Sequence, residues 1–329
     1  MTWCGAHGWL GPWRRVRRAA ARDTAIPLLV LVAGASLVAT SSASYAAAAP
    51  SHTKSYYERN ANTGVLYRQG EEAGKAAAQG IVILDFGRPA VDGSDYGTLG
   101  FGNVLIPLAS IAISVESYIS AYYRYAPMYT MLNVAVGTNN SCGPGQPCGK
   151  AICGCPEEPP DFVAWGKQLA LTVEEAGAWT GAFRARNGFT DNVRVVAADD
   201  AEPAFDPEYS NTFNLLKGYA AAVGGYFPPL VDFGSAESHV WTEGQLLQVA
   251  YGFRPDVPMP EIYYPADASE WAALLRYAKA RSGRSMEIYG VLTGGGGTST
   301  PASAVSDMLH AITEVTDQRT IPWLSTITR

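Results

Sequence analysis

Asn192–Asp206 reads NVRVVAADDAEPAFD. A short β-branched run, Val193-Arg194-Val195-Val196, opens into small residues and then into Asp199, Asp200 and Glu202. A buried parallel strand that ends at a mouth has this pattern. Side chains alternate along a strand, so Asp200 and Glu202 are expected to share an opening, with Asp199 directed the other way. Two carboxyl groups on one opening suit acid/base work on a glycosidic bond.

Other strands lie on either side of this one. Ile81–Phe86 (IVILDF) and Phe227–Phe233 (FPPLVDF) are apolar runs that also end in an aspartate, Asp85 and Asp232. Further strands are expected over Asn103–Leu108, Tyr129–Gly137, Glu261–Tyr264, Met286–Leu292 and Thr320–Ile327. Helices are expected over Leu66–Gln79, Ile111–Ala126, Phe162–Arg186, Pro207–Val223, Glu243–Tyr251, Ser269–Arg281 and Ala302–Val315. Asp161 suits the N-cap of the long central helix, and Asn187-Gly188 its stop. Asp92–Gly102 reads as a glycine-rich loop. Strand and helix alternate at least six times, with connections long enough to cross over, which specifies a parallel sheet covered by helices. At this length the first choice is a (β/α) TIM-like barrel of seven or eight parallel strands, and a doubly wound open sheet is second. No G-x-G-x-x-G or Walker loop follows the first strand to favour the open sheet.

The chain is 329 residues long, and its first 48 have the order of an export signal. Arg14, Arg15, Arg17, Arg18 and Arg22 precede the apolar stretch Ala25–Thr40, and small residues follow. That stretch is short for a membrane span. The expected organisation is a signal over 1–48, a polar, loosely ordered segment over 49–64, and one domain over 65–329. No stable membrane span is expected after cleavage, and the protein is expected to be secreted. Losing residues 1–48 removes five Arg and one Asp, which takes the formal charge from −6 to −10. So acidic a chain, without a basic run, disfavours nucleic acid as a partner.

Cys142, Cys148, Cys153 and Cys155 fall in one Gly/Pro-rich segment after the second clear strand. Their spacing is not that of paired C-x2-C zinc ligands, and no histidine lies nearby. In an exported chain two disulfides are the expectation, with three pairings open. His52, His239 and His310 are scattered, so neither a metal nor a cofactor is expected.

In a barrel the C-terminal strand ends converge, so Glu202, Asp200, Asp85 and Asp232 become the candidate catalytic residues. Phe86, Phe233, Tyr263, Tyr264, Tyr289 and Trp323 lie in or beside the strands. Such aromatic faces suit sugar rings, and Asn133, in the Tyr129–Gly137 strand, joins them as a candidate binding residue. Gly294–Gly297 reads as a linker or lid, with no adjacent Lys or Arg for phosphate.

With these residues in view, the chain resembles secreted bacterial TIM-barrel proteins described as glycoside-hydrolase-like. Lysozyme-type and chitinase-type barrels place an Asp-x-Glu at the end of a central strand. Asp200-Ala201-Glu202 matches that motif, and Asp85 matches an acidic residue ending the first strand. The longer chitinase pattern is absent, because Val196 and Ala198 occupy its aspartate positions. The resemblance implies a partner that is a carbohydrate polymer, from a cell wall or the environment. It also implies two possible functions: hydrolysis with Glu202 as general acid, or carbohydrate binding without catalysis.

Overall fold

The computed structural model describes residues 51–328, except 103, 141–158, 160, 205–208, 225–227 and 254–255. Residues 1–48, where an export signal was expected, and the segment bearing Cys142, Cys148, Cys153 and Cys155 lie outside the described residues, so the expected disulfides do too.

The chain begins its described course with a strand, β1 (Ser51–Tyr57), where a loose polar segment was expected. Its polarity is structural. Thr53 Oγ1 donates to Leu324 O at 3.1 Å and also to Ile81 O. Ser55 Oγ is 2.7 Å from Ser325 Oγ and accepts from Ile83 N at 2.8 Å. Hydroxyls that satisfy one another across strands replace the apolar side chains that usually mark a buried strand.

Asn62 then caps α1 (Thr63–Lys75), its side chain accepting from Gly64 N and Val65 N. β2 (Gly80–Asp85) follows. The expected glycine loop is instead a small antiparallel sheet of β3 (Arg88–Asp92), β4 (Asp95–Leu99) and β5 (Leu105–Pro107). Gly93, at φ +60, allows the two-residue turn between the paired Asp92 and Asp95.

The remaining elements alternate. They are α2 (Leu108–Tyr125), β6 (Leu132–Asn139), α3 (Phe162–Asn187), β7 (Val193–Asp200), α4 (Tyr209–Ala222) and β8 (Leu230–Asp232). Then come α5 (Glu243–Tyr251), β9 (Asp256–Pro258), α6 (Pro265–Ser282), β10 (Gly290–Gly294), α7 (Pro301–Thr313) and β11 (Trp323–Thr328). Asp161 accepts from Ala164 N, and Gly188 closes α3 in the left-handed conformation at φ 69. None of the described helices is long and apolar enough to cross a membrane.

Eight strands form one parallel sheet in the order β10-β11-β1-β2-β6-β7-β8-β9. Neighbours follow chain order, and β1 pairs with β11 from Ser51 opposite Trp323 onward. The sheet curls into a half-barrel, and the expected closed ladder is interrupted between β9 and β10. There the pairing is reduced to one isolated bridge, Glu261 to Leu292, with Ile262 N donating to Leu292 O at 2.8 Å, Leu292 N to Pro260 O at 2.9 Å and Tyr289 N to Pro258 O at 2.9 Å. The cause is Pro258-Met259-Pro260: prolines lack the N–H that a continuous ladder needs.

Alternation along the strands divides the core. Ile81, Ile83, Ala135, Val196, Ala198, Val231, Met259 and Leu292 cluster on the concave face. Val82, Leu84, Val134, Val136, Val195, Ala197 and Leu230 pack with the helices. The same parity decides where each acidic strand end points.

Candidate functional site

Asp200 follows Val196 and Ala198 and therefore faces inward, beyond the concave apolar cluster; Asp199 has the opposite parity. Asn139, at the end of neighbouring β6, donates its Nδ2 to Asp200 Oδ2 at 2.9 Å. Asn140 holds the next inward acid by its backbone. Its Oδ1 accepts from Glu202 N at 3.2 Å, and its Nδ2 donates to Glu202 O at 3.1 Å and Thr212 Oγ1 at 2.8 Å. Two amides at the end of one strand thus place the two carboxylates of the next.

The third acid is Glu261. It belongs to an inward series with Met259, just past the prolines that end β9. Tyr263 Oη donates to Glu261 Oε1 at 2.7 Å. Tyr57 Oη lies 3.3 Å from the same oxygen and 3.4 Å from Tyr263 Oη. Burial and the Glu261 charge hold both phenols far above their ordinary value, so both remain donors.

Asp200, Glu202 and Glu261 each present an oxygen within 4.8 Å of the others. They line a cleft of about 750 Å³ at the C-terminal edge of the sheet, together with Tyr57, Tyr263, Tyr264 and Trp271. Burial, then neighbouring Glu237, Asp232 and Asp267, raises Glu202 to about 7. Asp200 is raised well above its ordinary value by burial and then by Glu261 and Glu202. Glu261 is raised by burial and by Glu202, but its two tyrosine donors oppose the rise. Asp200 Oδ1 is buried without a hydrogen-bond partner. A proton shared in this trio therefore belongs on Asp200, and the anion on Glu261. Chemically, the trio can move protons, support a developing positive charge, or surround a hard divalent cation with oxygen.

The remaining candidates lie elsewhere. Asp85 has inward parity with Ile83 but does not line the cleft. Its Oδ1 accepts from Gly87 N at 2.8 Å, and burial raises it to about 7. Its charge acts on Asp200 and Glu261 from a distance. Asp232 shares the parity of Leu230 on the helix side, with Oδ1 accepting from Gly234 N at 3.1 Å. Both are Asp-x-Gly turn anchors. Phe86 is in the helix-side core and Phe233 in the concave cluster, both fully buried. Asn133 sits near the start of β6 and donates its Nδ2 to Gly80 O at 2.8 Å. Tyr289 precedes β10 and Trp323 opens β11, their ring centroids 6.1 Å apart. All three lie at the strands' N-terminal ends, away from the cleft. Of the aromatic candidates Tyr263 and Tyr264 reach it, and Tyr264 Oη donates to Gly296 O at 3.1 Å in the glycine segment.

Sequence reasoning missed Glu261, Tyr57, Asn139 and Asn140 as site residues. The signal for Glu261 was the inward spacing Met259, Glu261, Tyr263, hidden behind two prolines. A scan against protein-family models finds no match to this chain, and a comparison with curated proteins finds none.

Proposed function

We propose that the chain is an exported, glycoside-hydrolase-like protein that cleaves a cell-wall or environmental polysaccharide by carboxylate acid/base chemistry. The observation that carries this reading is the trio Asp200, Glu202 and Glu261, mutually within 4.8 Å in an aromatic-walled cleft. The order of strands and the Asp-x-Glu at the end of β7 support it as the TIM-like arrangement resembled above.

Glu202, with its value near 7, is protonated often enough at neutral pH to give a proton to the leaving glycosidic oxygen. Glu261 takes the role first given to Asp85 or Asp232. Its carboxylate, held by two phenols, attacks the anomeric carbon as the bond to the leaving oxygen breaks. Glu202 then deprotonates the water that hydrolyses the glycosyl ester. Carboxyl groups ~5–5.5 Å apart belong to retaining enzymes, so retention is the expected stereochemistry. Asp200, neutral beside them, positions Glu202 and the sugar.

The test is release of reducing sugar from a panel of wall and environmental polysaccharides. Glu202→Gln and Glu261→Gln are each expected to lower the rate by about 10²–10⁴-fold with binding retained. Binding without any release by the parent chain favours the non-catalytic carbohydrate-binding reading instead.

A further inference from the structure

Beyond the central trio, the cleft carries three more carboxylates, Glu237, Asp267 and Glu270. None of the described residues lining it is Lys, Arg or His. Asp267 is occupied as an acceptor, taking Tyr263 N and Tyr264 N at 2.8 Å each. Glu237 and Glu270 are not so occupied by backbone. Glu237 approaches the exposed His239 at 3.4 Å. Burial pushes Glu270 upward first, the Glu237 and Asp267 charges add to the rise, and His239 opposes it.

A second feature of the same wall is independent of these charges. Trp271, 1% exposed, lines the cleft, and its Nε1–H is buried with no hydrogen-bond partner. Ser235 Oγ, also on the lining, is buried without a partner as well. An indole N–H is a donor only, so it calls for an acceptor oxygen from whatever fills the space. The carboxylates call for positive charge. Sugar hydroxyls supply the first and an ammonium group the second; a simple polyamine has no acceptor.

We propose that the cleft selects glycans bearing free, protonated amines, that is, hexosamine units without acetyl groups, over neutral, N-acetylated or anionic chains. The inference rests on the carbohydrate reading above and narrows its substrate class. An anionic chain meets the negative charge of Glu261, Glu237, Asp267 and Glu270 and is repelled. A neutral chain leaves their charge uncompensated. The N-acetylated chain adds bulk where charge is wanted.

Isothermal titration calorimetry at slightly acid pH and low salt tests this with four probes. They are the β-1,4-linked glucosamine tetramer, its N-acetylated counterpart, cellotetraose, and spermine as a cation without sugar oxygens. The glucosamine tetramer is expected to bind about tenfold or more tightly than the other three, with the advantage shrinking as salt rises. The rim variant Glu237→Gln/Glu270→Gln is expected to remove most of that advantage. Equal or tighter binding of either uncharged tetramer overturns the inference and leaves the carbohydrate reading intact. Spermine matching the amine tetramer overturns it, because charge alone then suffices. A rim variant with undiminished preference overturns it as well. Binding of no tetramer defeats both readings.

Discussion

Two phenols favour negative charge on Glu261 within the acidic trio, and Tyr263 is the nearer of them. Tyr263 donates to Glu261 Oε1 at 2.7 Å, and a hydrogen bond to a charged group is worth ~1.5–3 kcal/mol. On the proposed glycoside hydrolysis, Tyr263→Phe is therefore expected to slow the rate by roughly 10–150-fold and to move the acid limb of the pH–rate profile to higher pH. Tyr57→Phe, which loses a contact of 3.3 Å, should do less. A Tyr263→Phe profile superimposable on the parent would remove Glu261 from the anionic role. At this scale the sequence was half legible. Asp200 and Glu202 were readable because alternation in an uninterrupted strand assigns them one face. Glu261 was not, because Pro258 and Pro260 break the run that would have carried the pattern. The aspartates that end β2 and β8 differ from that pair for a physical reason: a strand-end Asp followed two residues later by Gly has a backbone N–H within reach of its carboxylate.

Among the elements, the helices were the plainest. Their caps are local chemistry, as Asp161 and Gly188 around α3 show, and α5 runs over Glu243–Tyr251 as expected. What local chemistry does not reveal is how closely they pack. A Cβ on Gly166 of α3 would lie 2.1 Å from Leu215 O, and one on Gly218 of α4 would lie 2.1 Å from Val163 O. Glycine here sacrifices intrinsic helix stability for a reciprocal backbone approach. Gly218→Ala is expected to destabilise the protein by about 1–3 kcal/mol, despite the gain of ~1 kcal/mol that alanine brings to a free helix. Gly177→Ala, on α3 with nothing within 4 Å of the added carbon, should instead stabilise by ~0.5–1 kcal/mol. Urea denaturation midpoints of the two variants check the contrast; a common sign would mean that the helices slide apart freely. The strand β1 was illegible for the opposite reason. Its inward Thr53 and Ser55 look like loop residues until their partners, hundreds of positions away, are known.

For the molecule as a whole, buried acids set the pH at which folding is favoured. Burial raises Asp85, Asp232 and Glu202 to about 7 and Asp256 to about 8. A group raised in the folded state binds protons more tightly there than in the unfolded chain. Its stabilising effect is complete below the ordinary carboxylate range and is lost as pH rises through 7 and 8. The unfolding temperature is thus expected to fall between about pH 5 and pH 8. For Asp85 alone, moving from 3.8 to about 7 corresponds to roughly 4 kcal/mol. Asp85→Asn keeps an acceptor for Gly87 N and should recover part of the loss at the alkaline end while changing little at the acid end. Thermal melts across that range decide it, and a curve rising with pH would contradict the burial of these groups. The parallel α/β architecture itself was legible from its alternation. The interruption between β9 and β10 was not, since the reading assigned the strand to Glu261–Tyr264, downstream of the prolines.

The pairing of β1 with β11 also bears on when the molecule can become itself. Ser51 has no neighbour on that side until Trp323 has been synthesised, and bringing such distant stretches together costs roughly 5 kcal/mol of chain entropy. Until then the hydroxyl of Ser55 lacks its Ser325 counterpart, and the sheet stays open along that line. A polypeptide delivered residue by residue thus remains pliable until its last strand arrives, and only then does the first strand gain its second neighbour.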